Sequence, residues 1–349
     1  MEFQNKEMIQ DILNKDELDK QDIVSLLKAA DENDLQMIFQ KADAVRKEYC
    51  GNEVHLRGII EFSNYCEQDC LYCGLRKSNK TLPRYRMTKE EIIQTAKEIS
   101  EAGIKTIVLQ SGEDFYISGK EIEELIKTIK DRFGSAVTLS LGERGFEEYK
   151  TWKEAGADRY LLKHETSNER LYSAYHLGQE LKERIEHLEY LKSLGYQTGS
   201  GNLIGLPQQS IEDIAGDITL CRKLEADMVS FSPFIPSPDT PYRNHKPAEI
   251  DFTLKVMAIA RIVLKNVHMP ATTALATLDA DGWEKGLAAG ANVIMPNFTP
   301  AGYRNKYLIY PNKKSDGDFL TNLFNLISSS GRFISAGYGN TLKKKIPSY

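Results

Sequence analysis

Three cysteines lie close together in this chain of 349 residues, in the run Cys66-Glu-Gln-Asp-Cys70-Leu-Tyr-Cys73. One irregular loop with this spacing can wrap a 4Fe-4S cluster, and three thiolates leave the fourth iron without a protein ligand. An iron with an open position can bind and reduce a small molecule. A structural zinc site fits less well, because it uses four ligands, commonly two Cys-x-x-Cys pairs, and the chain has no second pair.

The remaining cysteines, Cys50 and Cys221, fall on predicted helices, and we interpret them as core thiols. An odd number of cysteines with three in one cluster does not resemble a disulfide framework, which favours a reducing compartment. The N-terminus has no apolar signal core, and the best apolar stretch, residues 256–264, is short and carries Arg261. We therefore predict a cytoplasmic protein with no membrane partner.

The charge of the chain bears on its partners. The net charge is −5, and no block of lysines and arginines resembles a nucleic-acid footprint. A chain with 41% hydrophobic residues can bury a large core. We therefore expect a small diffusible substrate and no nucleic acid.

Hydrophobic spacing predicts the elements that position the cysteines. Residues 7–50 repeat apolar positions at helical intervals, and from Val54 onward short β-rich runs alternate with amphipathic segments. The strand-like runs are residues 55–62, 106–110, 136–141, 159–163, 197–203, 228–232, 268–273 and 292–295. This order predicts an α/β fold, a (β/α)8 TIM-type barrel in residues 53–300. We expect an N-terminal helical prefix in residues 1–52 and a C-terminal helical extension, packed on the barrel, in residues 301–349.

The carboxyl ends of barrel strands carry the remaining polar motifs, and this rim is where such a barrel places its chemistry. In chain order the motifs are the cysteine loop, Gln110-Ser-Gly-Glu-Asp114, His164-Glu-Thr166, the glycine-rich residues 199–207, Thr272-Thr273 and Met295-Pro-Asn297. Each motif alone has a simpler explanation, such as a helix N-cap, a tight turn or a buried histidine. Their convergence on one rim favours an active site.

The spacing C-x3-C-x2-C, with the aromatic Tyr72 before the last cysteine, resembles the signature of the radical S-adenosylmethionine superfamily. The resemblance implies that the open iron chelates the amino and carboxylate groups of S-adenosylmethionine. One electron from the reduced cluster then cleaves the sulfonium and forms a 5′-deoxyadenosyl radical. The radical chemistry belongs to the cofactors, and the protein supplies positioning and water exclusion, so we assign no further catalytic side chain.

Longer runs resemble the HydE family of FeFe-hydrogenase maturases within that superfamily. They include His55-Leu-Arg-Gly-Ile-Ile-Glu-Phe-Ser-Asn-Tyr-Cys66, Val108-Leu-Gln-Ser-Gly-Glu-Asp114, Phe234-Ile-Pro-Ser-Pro-Asp-Thr-Pro241 and Ala291-Asn-Val-Ile-Met-Pro-Asn297. The resemblance implies a complete barrel and a role in building the diiron subcluster of the hydrogenase H-cluster. The implied substrate is a cysteine-bound iron carbonyl cyanide complex delivered by the partner maturase HydG, with HydF and an electron donor as further partners.

The same resemblance assigns roles to individual residues. Cys66, Cys70 and Cys73 would hold the cluster. The residues expected at S-adenosylmethionine are Gln110, Thr138, Glu165, Arg184, Leu203 and Tyr307. The residues expected in an open, dry substrate cavity are Ser111, Lys163, Met228, Thr272, Thr273, Met295 and Tyr310, with Arg159 as a second possible positive charge.

Two departures from the family pattern are visible. Many members carry three further cysteines for an accessory cluster, but the segment after Tyr310-Pro311 has none, so one cluster is expected. Lys163 stands where the family pattern has arginine, which keeps the charge and loses a bidentate grip. The alternatives are a sibling enzyme, such as methylornithine synthase or a biotin-synthase-like sulfur inserter, and a non-catalytic iron–sulfur scaffold or carrier. A biotin-synthase-like enzyme needs cysteines for a second cluster, which this chain lacks.

Overall fold

The computed structural model describes residues 2–313 and 319–343 and shows a parallel β-barrel. The strands are β1 (Glu53–Leu56), β2 (Gly58–Ser63), β3 (Thr106–Ser111), β4 (Ala136–Ser140), β5 (Arg159–Leu161), β6 (Gln197–Ile204), β7 (Met228–Pro233), β8 (Pro270–Ala271), β9 (Val293–Ile294) and β10 (Phe333–Ile334). Strands β2 to β7 form one sheet in chain order, and β10, β1, β9 and β8 form a second. The alternation of strands and helices therefore produces the predicted (β/α)8 architecture.

The barrel closes where the first predicted strand is divided at Arg57. The part before this residue, β1, pairs with β9, whereas the part after it, β2, pairs with β3. Two isolated parallel bridges, Met228 with His268 and Ile59 with Asn297, join the two sheets. The single run predicted for residues 55–62 thus serves both sheets and completes the ring.

Helices cover the outside of the barrel. They are α1 (Glu2–Leu13), α2 (Lys20–Lys28), α3 (Glu32–Cys50), α4 (Lys89–Glu101), α5 (Gly119–Phe133), α6 (Phe146–Glu154), α7 (Glu169–Tyr175), α8 (Leu181–Ser193), α9 (Ile211–Lys223), α10 (Ile250–Leu264), α11 (Thr273–Leu278), α12 (Gly282–Ala288), α13 (Ala301–Arg304) and α14 (Phe319–Ser329). Capping boxes begin two of these helices: Thr88 with Glu91 begins α4, and Ser210 with Asp213 begins α9. Apolar helix faces and strands pack into one large core, and Leu171, Tyr175, Leu206 and Phe234 form a smaller separate cluster.

Additions at both ends of the chain complete the barrel. Helices α2 and α3 pack against α9 and α10. After α14 the chain forms the short strand β10, which the helical expectation for this extension did not include, and it pairs with β1. The residues after β10 close the amino end of the barrel, which we call the floor. There Arg159 donates to the carbonyl oxygens of Tyr338 (2.8 Å) and Gly339 (3.0 Å). Residues 314–318 and 344–349 of the predicted extension lie outside the described residues.

A helix that spans a membrane must be long and apolar. In the part of the chain that the structure describes, no helix is both long and apolar enough to cross a membrane.

Candidate active site

The cysteine loop lies on the rim of the barrel directly after β2, where neighbouring segments hold it by backbone hydrogen bonds. Glu67 N donates to Glu113 O at 3.0 Å, Leu71 N to Tyr175 O at 2.9 Å, and Gly74 N to Ile309 O at 2.8 Å. These contacts come from the loop after β3, from α7 and from the segment after α13. The loop therefore has a defined path although it contains no regular secondary structure.

A close approach to Gly112 also confines the loop. A Cβ atom on this residue would lie 2.3 Å from the carbonyl oxygen of Tyr65 and 2.7 Å from Cβ of Cys66. Only glycine leaves room for the loop at that distance. The Gln110-Ser-Gly-Glu-Asp114 motif thus packs directly against the first cysteine.

The three partly buried thiols of this loop are the candidate ligands of a 4Fe-4S cluster. Burial raises the pKa of Cys66 and Cys70, and it raises the pKa of Cys73 to about 12. Buried thiolates therefore need nearby positive charge, which iron supplies. No three His, Cys, Asp or Glu side chains within residues 2–313 and 319–343 are placed to hold one metal ion. A 4Fe-4S cluster does not require three side chains around one metal ion, because each thiolate would bind a different iron atom.

An internal cavity of about 250 Å³ opens beside this loop. Eight of the residues predicted at the cofactor or in the substrate cavity line it: Gln110, Lys163, Glu165, Leu203, Thr272, Thr273, Met295 and Tyr310. They come from β3, β6, the segment after β5 and the last two barrel units. The barrel centre is therefore open at the rim, whereas side-chain layers usually fill it.

Glu165 reaches the cavity from a strained backbone. Its φ angle is +61°, which is uncommon for a residue with a side chain. Its backbone N–H donates to Gly201 O at 2.9 Å, and its carboxylate lies 3.1 Å from Nζ of Lys163. Strain of this kind persists where the surroundings impose it, and it is frequent at functional sites.

Buried polar groups hold the residues on either side of Glu165. Ser167 N and Nδ2 of Asn202 both donate to the carboxylate of Asp217, at 2.5 and 2.6 Å. His164 is fully buried, and its Nδ1 lies 3.0 Å from Oγ of Ser200. The His164-Glu-Thr166 motif therefore contains one residue directed to the cavity and a histidine packed into the structure, as interpreted from the sequence.

Gln110 and Tyr307 form a second contact at the cavity. Nε2 of Gln110 donates to the hydroxyl of Tyr307 at 3.3 Å. Tyr307 is buried and lies behind the cavity wall, whereas Tyr310 lines it. Of the two tyrosines, only Tyr310 is thus placed to touch a molecule in the cavity directly.

Arg184 points inward from α8, as predicted, but it has protein partners. Its Nε donates to Glu143, and its Nη1 donates to Lys163 O at 2.7 Å. Burial disfavours its charge, yet Tyr172 and the carboxylates of Glu143 and Glu113 outweigh burial and raise the pKa of Arg184. The guanidinium is therefore a fixed positive charge beside the cavity and does not line it.

Four residues expected in the site or as its charge do not line the cavity. Oγ of Ser111 donates to Gly112 O at 2.6 Å, and Thr138 is fully buried within β4. Met228 opens β7, and its sulfur lies 2.8 Å from Nη1 of Arg57, whereas Arg159 binds the floor segment. Residues that begin a parallel strand lie at the amino end of the barrel, far from the rim.

Sequence reasoning missed several residues that line the cavity. Ser230 and Ser232 project from β7, and Tyr72 and Phe234 form part of the wall. The signal for the serines was present, because Ser230-Phe-Ser232 alternates polar and apolar side chains with the period of a strand. The glycine-rich segment also has a packing role, since a Cβ atom on Gly201 would lie 2.0 Å from Ser230 O.

The chain is similar to several known proteins. The sequence profile of the Radical SAM superfamily matches residues 60–221, which contain the cysteine loop. The [FeFe] hydrogenase maturase subunit HydE of Thermotoga maritima is 48% identical over 301 residues, or 86% of each chain. The 3-methylornithine synthase of Methanosarcina acetivorans is 31% identical over 280 residues, covering 80% of this chain and 79% of that protein.

Solved structures share the fold. The crystal structure of methylornithine synthase (PylB) matches with a TM-score of 0.83 and 26% identity, covering 94% of this chain and 97% of that chain. The structure of HydG, a maturase of the [FeFe]-hydrogenase, matches with a TM-score of 0.81 and 22% identity, covering 95% and 76%. At that identity the HydG match concerns the barrel alone.

Proposed function

This chain belongs to the HydE family of [FeFe] hydrogenase maturases in the radical S-adenosylmethionine superfamily, and we propose that its cavity processes a cysteine-bound iron carbonyl cyanide precursor of the H-cluster. Membership makes it a radical S-adenosylmethionine enzyme that uses a 4Fe-4S cluster and S-adenosylmethionine. The observation that supports the substrate is the open cavity between the cysteine loop and the threonines after β8.

The cofactors have clear candidate ligands in this chain. When bound, the reduced cluster supplies the electron that converts S-adenosylmethionine into methionine and a 5′-deoxyadenosyl radical. Cys66, Cys70 and Cys73 would hold the cluster. Glu165 would accept a hydrogen bond from the cofactor, and Gln110 would donate one. Arg184 would favour the cofactor carboxylate through its buried positive charge.

The far wall of the cavity suits an anionic metal complex. Thr272 and Thr273 bring hydroxyl groups, and Met295 and Ile309 bring apolar surface. Apolar walls exclude water that would compete for the ligands of such a complex, and the hydroxyls can donate to its charged end. This mixture of surfaces supports the proposed substrate.

The proposal includes the partners and the compartment. The precursor would come from HydG, the product would pass to HydF, and a separate protein would deliver the electron. The five cysteines are all free, and Cys50 and Cys221 are buried. Free thiols around an iron–sulfur site suit the reducing cytoplasm.

The test is reconstitution of a hydrogenase. The anaerobically loaded protein is added to HydG, HydF and apo-hydrogenase from a host that lacks its own HydE. We expect H₂ evolution that depends on this protein and on S-adenosylmethionine, and the Cys70→Ser variant serves as the inactive control. Cleavage of S-adenosylmethionine without any hydrogenase activation would contradict the maturase function.

A second function has a specific observation in its favour, which is the 31% identity to 3-methylornithine synthase over most of the chain. That enzyme class should bind an amino acid tightly, whereas a maturase should not. Incubation with free amino acids separates the two, because formation of 3-methylornithine would favour the synthase. We expect none.

A further inference from the structure

A histidine far away in sequence holds the cysteine loop. The hydroxyl of Tyr72, the residue before Cys73, lies 2.8 Å from Nε2 of His176, which follows α7. We propose that His176 is a positioning residue for the cluster, because its hydrogen bond orients Tyr72 and with it the segment from Cys70 to Cys73. This inference rests on the proposed assignment of the three thiolates to the cluster.

The hydrogen-bond pattern determines the direction of this contact. Nδ1 of His176 lies 3.1 Å from the backbone carbonyl oxygen of Tyr172, which can only accept, so Nδ1 carries the proton. Burial lowers the pKa of His176 to about 3, so the ring is neutral and Nε2 has a free lone pair. Tyr72 is therefore the donor and His176 the acceptor.

Packing holds the imidazole in place. The ring of Tyr172 stacks on it with centroids 4.2 Å apart and planes inclined by 23°. The ring of Tyr72 meets it edge to face at 5.4 Å. His176 is only 2% exposed, so its orientation depends on these neighbours and on its two hydrogen bonds. Such a ring is a rigid support for the residue that donates to it.

Two consecutive residues of the loop are therefore attached to the carboxyl end of α7. Leu71 donates its backbone N–H to Tyr175 O at 2.9 Å, and Tyr72 donates its hydroxyl to His176. Both attachments lie between the second and third cysteine. Because the hydroxyl of Tyr72 is hydrogen-bonded to His176, Tyr72 lines the cavity with its ring. Removing a partner that orients a metal-binding residue commonly changes metal affinity or activity by ~10-fold or more.

The test compares variants that remove or retain this hydrogen bond. Tyr72→Phe removes the donor, and His176→Phe removes the acceptor and keeps an aromatic ring. His176→Gln retains both functions, because the amide oxygen can accept from Tyr72 and the amide nitrogen can donate to Tyr172 O. His245→Gln, at an exposed histidine, is the matched control.

Each loaded variant is examined by iron content, by the electron paramagnetic resonance spectrum and midpoint potential of the reduced cluster, and by kcat and KM for 5′-deoxyadenosine formation. We expect Tyr72→Phe and His176→Phe to alter the spectrum and potential in the same way and to lower kcat ~10-fold. The double variant should be no worse than either single one, because both remove the same contact. His176→Gln and His245→Gln should resemble the wild type.

Two outcomes would overturn the inference alone: a Tyr72→Phe variant with the spectrum and potential of an active wild type, or additive effects in the double variant. If His176→Phe fails to fold, Tyr72→Phe still tests the inference, because it removes the same hydrogen bond by deleting a single oxygen atom. A wild type that loads no cluster would overturn the proposed function together with the inference.

Discussion

Nζ of Lys163 lies 3.1 Å from Oε2 of Glu165, so two side chains from the end of one strand neutralise each other at the cavity. Both are mostly buried, with side-chain exposures of 19% and 12%. The lysine that was expected to offer positive charge to an anionic substrate is thus already paired. A ligand that binds the Glu165 carboxylate would leave the positive charge of Lys163 unpaired at the cavity.

This pair leads to a prediction about Glu165→Gln. The amide keeps the size of the side chain but loses the charge that accepts hydrogen bonds from the cofactor. We expect the KM for S-adenosylmethionine to rise ~10- to 100-fold, since a hydrogen bond to a charged group contributes about 1.5–3 kcal/mol. The measurement is 5′-deoxyadenosine formation, with Lys163→Arg as a control that preserves the ion pair. An unchanged KM would place Glu165 outside the cofactor site.

The cluster ligands are tested by Cys70→Ser. We expect this variant to lose the cluster and all cleavage of S-adenosylmethionine, because an alkoxide is a poor ligand for iron in place of a soft thiolate. Cys221→Ala is the control, since that buried thiol is remote from the loop and should leave iron content unchanged. Iron analysis and 5′-deoxyadenosine formation provide the readouts. Full activity of Cys70→Ser would refute the assignment.

Arg184→Ala should weaken S-adenosylmethionine binding and leave the cluster in place, because the buried positive charge beside the cavity is lost. The structure adds a second effect, because Glu143 and Glu113 would lose their cationic partner in a buried setting. We therefore also expect a lower Tm, in line with the cost of uncompensated buried charge. Isothermal titration and thermal unfolding measure the two effects separately. Wild-type affinity combined with a lower Tm would make Arg184 a structural residue only.

Gly112→Ala tests the packing between the loop after β3 and the first cysteine. The added methyl group would press on Tyr65 O and Cβ of Cys66, so the loop must move. We expect reduced cluster loading and an altered spectrum of the cluster that remains. Gly302→Ala is the matched control, because a Cβ atom there meets nothing within 4 Å. Equal iron content in the two variants would show that the loop tolerates displacement.

Short-range patterns in the sequence determined the class of this protein. The spacing of Cys66, Cys70 and Cys73 predicted a cluster loop, and alternating strand and helix patterns predicted the barrel that the structure shows. Motifs at the ends of predicted strands contain Gln110 and Glu165, which the family resemblance assigned to S-adenosylmethionine and which line the cavity. The barrel prediction is confirmed because strand and helix patterns depend on neighbours within one element. The motifs converge because the carboxyl ends of all barrel strands share one rim.

Only the tertiary structure decided which of the inward residues meet the cavity. The predicted runs 159–163 and 228–232 already begin with Arg159 and Met228. Only the structure shows that these two side chains serve the floor and that Ser230 and Ser232 line the cavity instead. The contact of Tyr72 with His176 joins residues 104 positions apart. How deep a residue lies in the barrel, and which residue it meets across the barrel, depend on the stagger of all strands around the ring. No local sequence pattern contains this information.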